Sequence, residues 1–301
     1  MAPPTETPPP DILCIGAVLW DIIGRCTTPM LLGNDKPGQI TRLPGGVALN
    51  IANALRQFGL RPALLSVVGQ DAEGRDLLAA CEALGLETSF IHVDPNLPTD
   101  RYMAIEAHGG LVAAIADAQT LETLGDRILT PLADGTLGAP GAPWSGPVAL
   151  DGNLSEALLI EIARSPLFAN ADLRIAPASP GKAERLRPFL GQRNATFYVN
   201  REEAGLITGT QPANAAAAAE ALLRAGAGRA LVTEGAQMAV DGSRTHTLSQ
   251  TPPPVEAIRI TGAGDTFMAA HIAAEIAGEP RETALRLATV TAANYVAGDQ
   301  P

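Results

Sequence analysis

The chain has 301 residues, with 21 Lys+Arg against 32 Asp+Glu and a formal net charge of -11, which argues against nucleic acid or another polyanion as a partner. At 46% hydrophobic, 18% charged and 4% aromatic, it suits a packed core of Ala, Val, Leu and Ile and not a disordered chain. Cys14, Cys26 and Cys81 are too widely spaced for a zinc pattern or a secreted disulfide framework and point to a reducing cytoplasm.

Residues 1–10 are rich in Pro and lack the basic and apolar regions of a signal peptide, so they read as a disordered tail before one domain over 11–301. The apolar run Ile12 to Ala17 predicts a buried strand, with Asp21 just past its end. Gln39 to Leu43 alternates with a period of two, a half-exposed strand, and Val47 to Phe58 carries apolar residues at helical spacing. Ala63 to Val68 followed by Asp71 to Leu84, then Val148 to Asp151 followed by Ser155 to Ala163, give a strand-helix rhythm. Between them, Tyr102 to Ile115 holds two short apolar runs around His108-Gly109-Gly110, a hairpin pattern. Segments 35–46 and 97–117 together predict a small β flap, and 135–147 a long surface loop.

Further strands are expected at Leu173 to Ala176, Ala195 to Tyr198 and Ala230 to Thr233. Helices are expected at Arg201 to Ile207, Ala213 to Ala225, Asp265 to Ala277 and Thr283 to Tyr295. The fold class is therefore α/β, a mostly parallel sheet covered on both faces, whose ligands sit beyond the carboxyl ends of the strands. The Ala-rich 213–225 run falls short of the roughly 18 apolar residues of a membrane span.

The sharpest local signal is Thr261-Gly262-Ala263-Gly264-Asp265 opening a helix. The first amides of a helix lack internal partners and carry partial positive charge, so small residues there let a phosphate approach. Asp265 is either a helix cap or a general base beside that cradle. An earlier element, Pro44-Gly45-Gly46-Val47, permits the same close approach, and Asn50 one turn on points either at a ligand or into a structural bond. Asn200 and Glu203 share one face of a first helical turn, as a capping pair or as a holder of hydrated Mg²⁺. Thr233-Glu234-Gly235 forms a turn roomy enough for a nucleotide. A P-loop, an early G-x-G-x-x-G, an H-x-x-x-H pair and a G-x-S-x-G elbow are all missing, which sets aside P-loop, classical NAD, zinc-hydrolase and serine-hydrolase chemistry.

In order and spacing these elements resemble the PfkB, or ribokinase-like, carbohydrate kinase family. The resemblance implies a three-layer α/β/α sandwich with a small β lid, using ATP and Mg²⁺. Within the family, Pro37-Gly38-Gln39-Ile40, Tyr102, Leu111 to Asp117, Asp151 to Glu156 and Ala176 to Lys182 are similar to segments of pseudouridine kinases. That likeness implies phosphorylation of the 5′-hydroxyl of pseudouridine in a cytoplasmic homodimer. It also implies roles: Asp265 as base with Gly262, Ala263 and Gly264 around the transferring phosphoryl; Asp21, Gly45, Gly46, Asn50, Tyr102, Asp117 and Lys182 on the substrate. Asn200, Glu203, Thr233, Gly235, Thr261, Gly264 and Asn294 would serve ATP, Glu203 reaching Mg²⁺ through water. Three positions depart from the pattern, one being Met238, which stands where a glycine is common after Thr233 and Gly235 and alters the nucleotide loop. Leu19 stands where the family often has Asn, removing a polar contact to substrate, and Arg259 where many members have an Asp that helps bind K⁺, which argues against a monovalent cation. Phosphorylation of another nucleoside, ribose or a sugar is the alternative, and a nucleoside sensor without catalysis is a further one.

Overall fold

The computed structural model describes residues 9–31, 33–108 and 110–298. The expected tail thus falls outside the described residues except for Pro9 and Pro10, as does Gly109 at the hairpin tip.

The inner strands of the parallel sheet are apolar and buried on both sides, which is why the sequence shows runs there and not alternation. Strand β1 (Ile12–Ile15) shows the consequence: Leu13 and Ile15 pack into one apolar cluster, Ile12 and Cys14 into another on the opposite sheet face. The main sheet includes β4 (Pro62–Gly69), β5 (Ile91–Asp94), β8 (Pro147–Asp151), β9 (Asp172–Ala176), β10 (Ala195–Asn200), β11 (Arg229–Thr233), β12 (Ala239–Ser243) and β13 (Thr247–Gln250). Its order is β13-β12-β11-β10-β9-β8-β1-β4-β5, parallel from β11 to β5 and antiparallel at β12 and β13.

One cluster is covered by helices α1 (Val47–Gln57), α2 (Ala72–Ala83), α8 (Ala263–Ile276) and α9 (Arg281–Val296). The other is covered by α3 (Gln119–Leu124), α4 (Thr130–Ala133), α5 (Glu156–Arg164), α6 (Arg201–Thr208) and α7 (Ala215–Ala225). Helix starts follow local chemistry: Asp71 accepts from Gly74 N at 2.7 Å, and Asn214 from Ala217 N at 2.9 Å. Gly226, at φ 110°, ends α7 in the left-handed region that glycine favours. The α/β/α sandwich is as expected, and the helix expected from Ala213 begins two residues later because Asn214 caps it.

A second sheet, of four strands in the order β3-β2-β6-β7, comprises β2 (Leu19–Arg25), β3 (Gln39–Gly45), β6 (Arg101–Ala107) and β7 (Gly110–Asp117). Here the structure departs from the sequence expectation. The first apolar run ends at Ile15, and after Gly16 to Val18 the chain enters a separate strand that contains Asp21, a residue the sequence pattern puts just beyond strand one. The turn is tight: a Cβ on Gly16 would stand 2.3 Å from Asp151 Cβ. Sequence periodicity also missed β5, β12 and β13, which have four or five residues each.

Candidate active site

Chain order along the main sheet reverses between β1 and β8, the crevice where doubly wound sheets bind ligands. Two glycine-lined elements and one built on a buried carboxylate converge at these carboxyl ends. The first is the turn from β3 into α1. Gly46 has φ 100°, and a Cβ there would meet Ala17 O at 2.3 Å. At Gly45 a Cβ would lie 2.0 Å from Asp21 Oδ2, so the Asp21 carboxylate sits directly over the glycine. Asp21 pairs in register with Leu43 and Tyr102, placing its side chain and the Tyr102 ring on one face of the second sheet. Burial pushes the Asp21 carboxyl up to about 6, and the phenol of Tyr102 is raised by burial and then by Asp21. Asp117 differs. It pairs with Arg101, one position out of phase with the Tyr102–Ala116 pair, so it emerges from the opposite face and is exposed.

The second element is the start of α8. Gly262, at φ 89°, is the N-cap, with no side-chain cap, so Asp265 is not the capping carboxylate. The amide of Ala263 closes a turn onto Ile260 O at 3.1 Å and is spent there. The amides of Gly262, Gly264 and Asp265 find no acceptor among the described residues, and a Cβ on Gly264 would meet nothing within 4 Å. The cradle is therefore formed by the amides on either side of Ala263. Asp265 is the joint between the two glycine elements: Asn50 Nδ2 donates to its Oδ2 at 2.9 Å. Desolvation raises the Asp265 carboxyl to about 7; the Asn50 bond opposes this, while Asp151, Asp21 and Glu203 add to it.

The third element, at β8, was not assigned a role from sequence, although an acidic residue closing an apolar run at the switch point is the signal that could have found it. Asp151 is fully buried and accepts from Ala17 N at 2.8 Å, Asn153 N at 2.8 Å and Asn153 Nδ2 at 3.1 Å. Asn153 Oδ1 in turn accepts from Lys182 Nζ at 2.6 Å. Lys182 is thereby fixed near the carboxylates; burial lowers its pKa, with Arg185 adding to the effect and Asp151 opposing it.

The remaining expected residues lie at the ends of β10 and β11, beyond β9, and on the loop before α8 and the end of α9. Asn200 ends β10 and is in register with Thr233, the last residue of β11. Asn200 and Glu203 form a reciprocal capping box, Glu203 N donating to Asn200 Oδ1 at 2.9 Å and Asn200 N to Glu203 Oε2 at 2.8 Å. The structural alternative for this pair is thus realised, but it does not exhaust Glu203. Among the described residues that carboxyl has no cationic partner, and burial pushes it up to about 7. A buried carboxyl of this kind fits a hydrated divalent cation, which keeps its waters and takes few protein ligands. Gly235, at φ 57°, leaves its turn open. Thr261 offers its carbonyl to Tyr295, and Asn294 is exposed one residue before that tyrosine on the last turn of α9.

A family model described as pfkB family carbohydrate kinase matches residues 9–298. The chain is similar to the pseudouridine kinase of Escherichia coli K12, 27% identical over 286 residues that cover 92% of this chain and 87% of that protein. It is also similar to the bifunctional protein HldE of Rhodospirillum rubrum, 29% identical, covering 93% of this chain but 58% of that longer protein. Among solved structures, a carbohydrate kinase from Agrobacterium tumefaciens superimposes with a TM-score of 0.76 at 26% identity, over 94% of this chain and 89% of that one. The Arabidopsis thaliana ribokinase complexed with ribose and ATP has the same fold, with a TM-score of 0.76 at 19% identity, over 96% of this chain and 93% of that one. The chain belongs to the PfkB family of carbohydrate kinases, phosphotransferases with a hydroxyl group as acceptor.

Proposed function

We propose that this kinase transfers the γ-phosphoryl group of ATP to the 5′-hydroxyl of pseudouridine, giving pseudouridine 5′-phosphate and ADP. The observation that carries the catalytic part is the Asn50–Asp265 bond of 2.9 Å, which holds one carboxylate oxygen and leaves the other for an acceptor hydroxyl. In the reaction that hydroxyl gives its proton to Asp265 while its oxygen bonds to the γ-phosphorus. The bond from that phosphorus to the bridging oxygen breaks, and the electron pair leaves with ADP. The amides of Gly262 and Gly264 and the positive end of α8 face the charge on the phosphoryl oxygens, where fixed donors contribute most. Asp21 accepts from sugar hydroxyls above Gly45 and Gly46, Tyr102 closes over the acceptor, and Lys182 faces the phosphates. Asn200, Thr233, Gly235, Thr261 and Asn294 hold the nucleotide. Glu203 would hold Mg²⁺ through water, and the ion neutralises phosphate charge when bound.

The similarity to the Escherichia coli pseudouridine kinase over nearly the whole chain supports this acceptor. The similarity to HldE favours the second reading, in which the acceptor is another nucleoside, ribose or a sugar. The place where many relatives carry a K⁺ ligand is cationic here, Arg259 lying 3.7 Å over the Tyr295 ring, so turnover should not require K⁺. A homodimer fits the outer face of the second sheet, where Ile40, Met103, Ile105 and Ile115 share one side and are exposed. Three unpaired thiols and the absence, among the described residues, of a helix able to cross a membrane accord with a cytoplasmic enzyme. The test is a panel of pseudouridine, uridine, ribose and fructose 6-phosphate with ATP and Mg²⁺ in K⁺-free buffer. Pseudouridine should show the highest kcat/KM; binding without product from any acceptor would indicate a sensor instead.

A further inference from the structure

The amides that receive the phosphoryl group depend on a loop with no secondary structure of its own, residues 257–262, entering α8 without a side-chain cap. The end of α9 holds that loop. Ile258 N and Arg259 N both donate to Val296 O, at 2.9 and 3.2 Å. Tyr295 Oη donates to Thr261 O at 2.9 Å, and Arg259 donates from Nε to Tyr295 O at 2.8 Å while its guanidinium lies 3.7 Å over the same ring. In a trans peptide the carbonyl and the next amide point opposite ways. Drawing the Thr261 carbonyl toward Tyr295 therefore turns the Gly262 N–H away from it. The fit is close, since a Cβ on Gly262 would stand 2.5 Å from Tyr295 Oη. A pocket of about 170 Å³ opens beside the loop, lined by Asn50, Asn53 and Thr266 and by Arg259, Gly262 and Tyr295 themselves, so packing leaves this side of the loop to the contacts from α9.

We infer that Tyr295, braced by Arg259, is a positioning residue that sets the direction of the cradle amides. This rests on the phosphoryl-transfer reading of the same site. A donor matters most where charge develops in the transition state, so misdirecting it lowers kcat while acceptor binding, which uses other groups, is spared.

Tyr295→Phe keeps the ring and its stacking and removes only the hydroxyl. With pseudouridine, ATP and Mg²⁺, kcat should fall about tenfold or more, with the acceptor KM within about twofold. Hydrogen exchange of the bonded loop amides, those of Ile258, Arg259 and Ala263, should quicken, with the urea midpoint close to that of the wild type. Arg259→Lys, which keeps the charge but loses the planar stack, should move both readouts the same way by less. Wild-type kcat in Tyr295→Phe, a loss confined to KM, or unchanged exchange at those amides would overturn the inference. If the wild type transfers phosphate to no acceptor, the kinase reading fails instead, and the exchange measurement alone decides whether the hydroxyl orders the loop.

Discussion

Helix α8 joins two groups of buried acids that have opposite fates. Toward its carboxyl end Glu275 meets Arg174 and Arg229, and Asp241 on β12 is gripped by Arg229 at 2.6 Å and by Arg281 at 2.6 Å. His271 and Tyr198 complete this network, Tyr198 Oη lying 2.8 Å from His271 Nδ1. Burial alone would raise Asp241 and Glu275; the arginine partners win and hold both below the usual carboxylate range. At the amino end, Asp265, Asp21 and Glu203 have no arginine or lysine within ion-pair distance among the described residues, and all three are pushed up, to about 7, 6 and 7. The paired acids brace the fold. Left unpaired, the others remain able to take a proton, a sugar hydroxyl or a cation.

The contrast can be broken from either end of the helix. Asp265→Ala should reduce kcat by about a thousandfold or more, the scale expected for loss of a positioned base, with sugar binding largely kept; initial rates and acceptor KM measure both. Asp241→Ala leaves two half-buried arginines without their shared, fully buried carboxylate and should cost about 3 kcal/mol in urea unfolding, the low end for a broken buried pair, with kcat in the surviving folded protein little changed. Asp265→Asn should raise the urea midpoint at pH 8. The native carboxyl binds its proton more tightly than the unfolded one, so stability of the wild type falls as pH rises from about 4 to about 7, and the amide removes that loss. The smallest change is expected at Asp117, exposed on the outer face of the second sheet: Asp117→Asn should alter the acceptor KM by no more than about twofold.

Much of the layered fold could be read from apolar runs, because strands buried on both faces leave that trace at β1, β4, β8, β10 and β11. β2 could not be read so: Leu19, Trp20, Ile22 and Ile23 continue the preceding run, and only the close approach of Gly16 to Asp151, which leaves no room for a Cβ, marks the break. The glycine elements and Asp265 were legible because close approach to a helix start demands small residues. Three-dimensional pairing decided what spacing left open: Asn50 turned out to touch Asp265, Asn200 with Glu203 to form a capping box, and Ala263 to spend its amide on a turn. Asp151 and Asn153 escaped assignment because their partners, Ala17 and Lys182, lie far away in sequence. Asp117 was drawn to the acceptor by its place in the chain, but the register with Arg101 turns it outward.

The most direct measurement is the pH dependence of single-turnover phosphoryl transfer, wild type beside Asp265→Asn, with ATP, Mg²⁺ and pseudouridine. For the wild type the rate should climb as Asp265 loses its proton and level off above about pH 7, while the variant stays slow and flat. Equal rates, or the same rising limb in the variant, would contradict a proton transfer to Asp265.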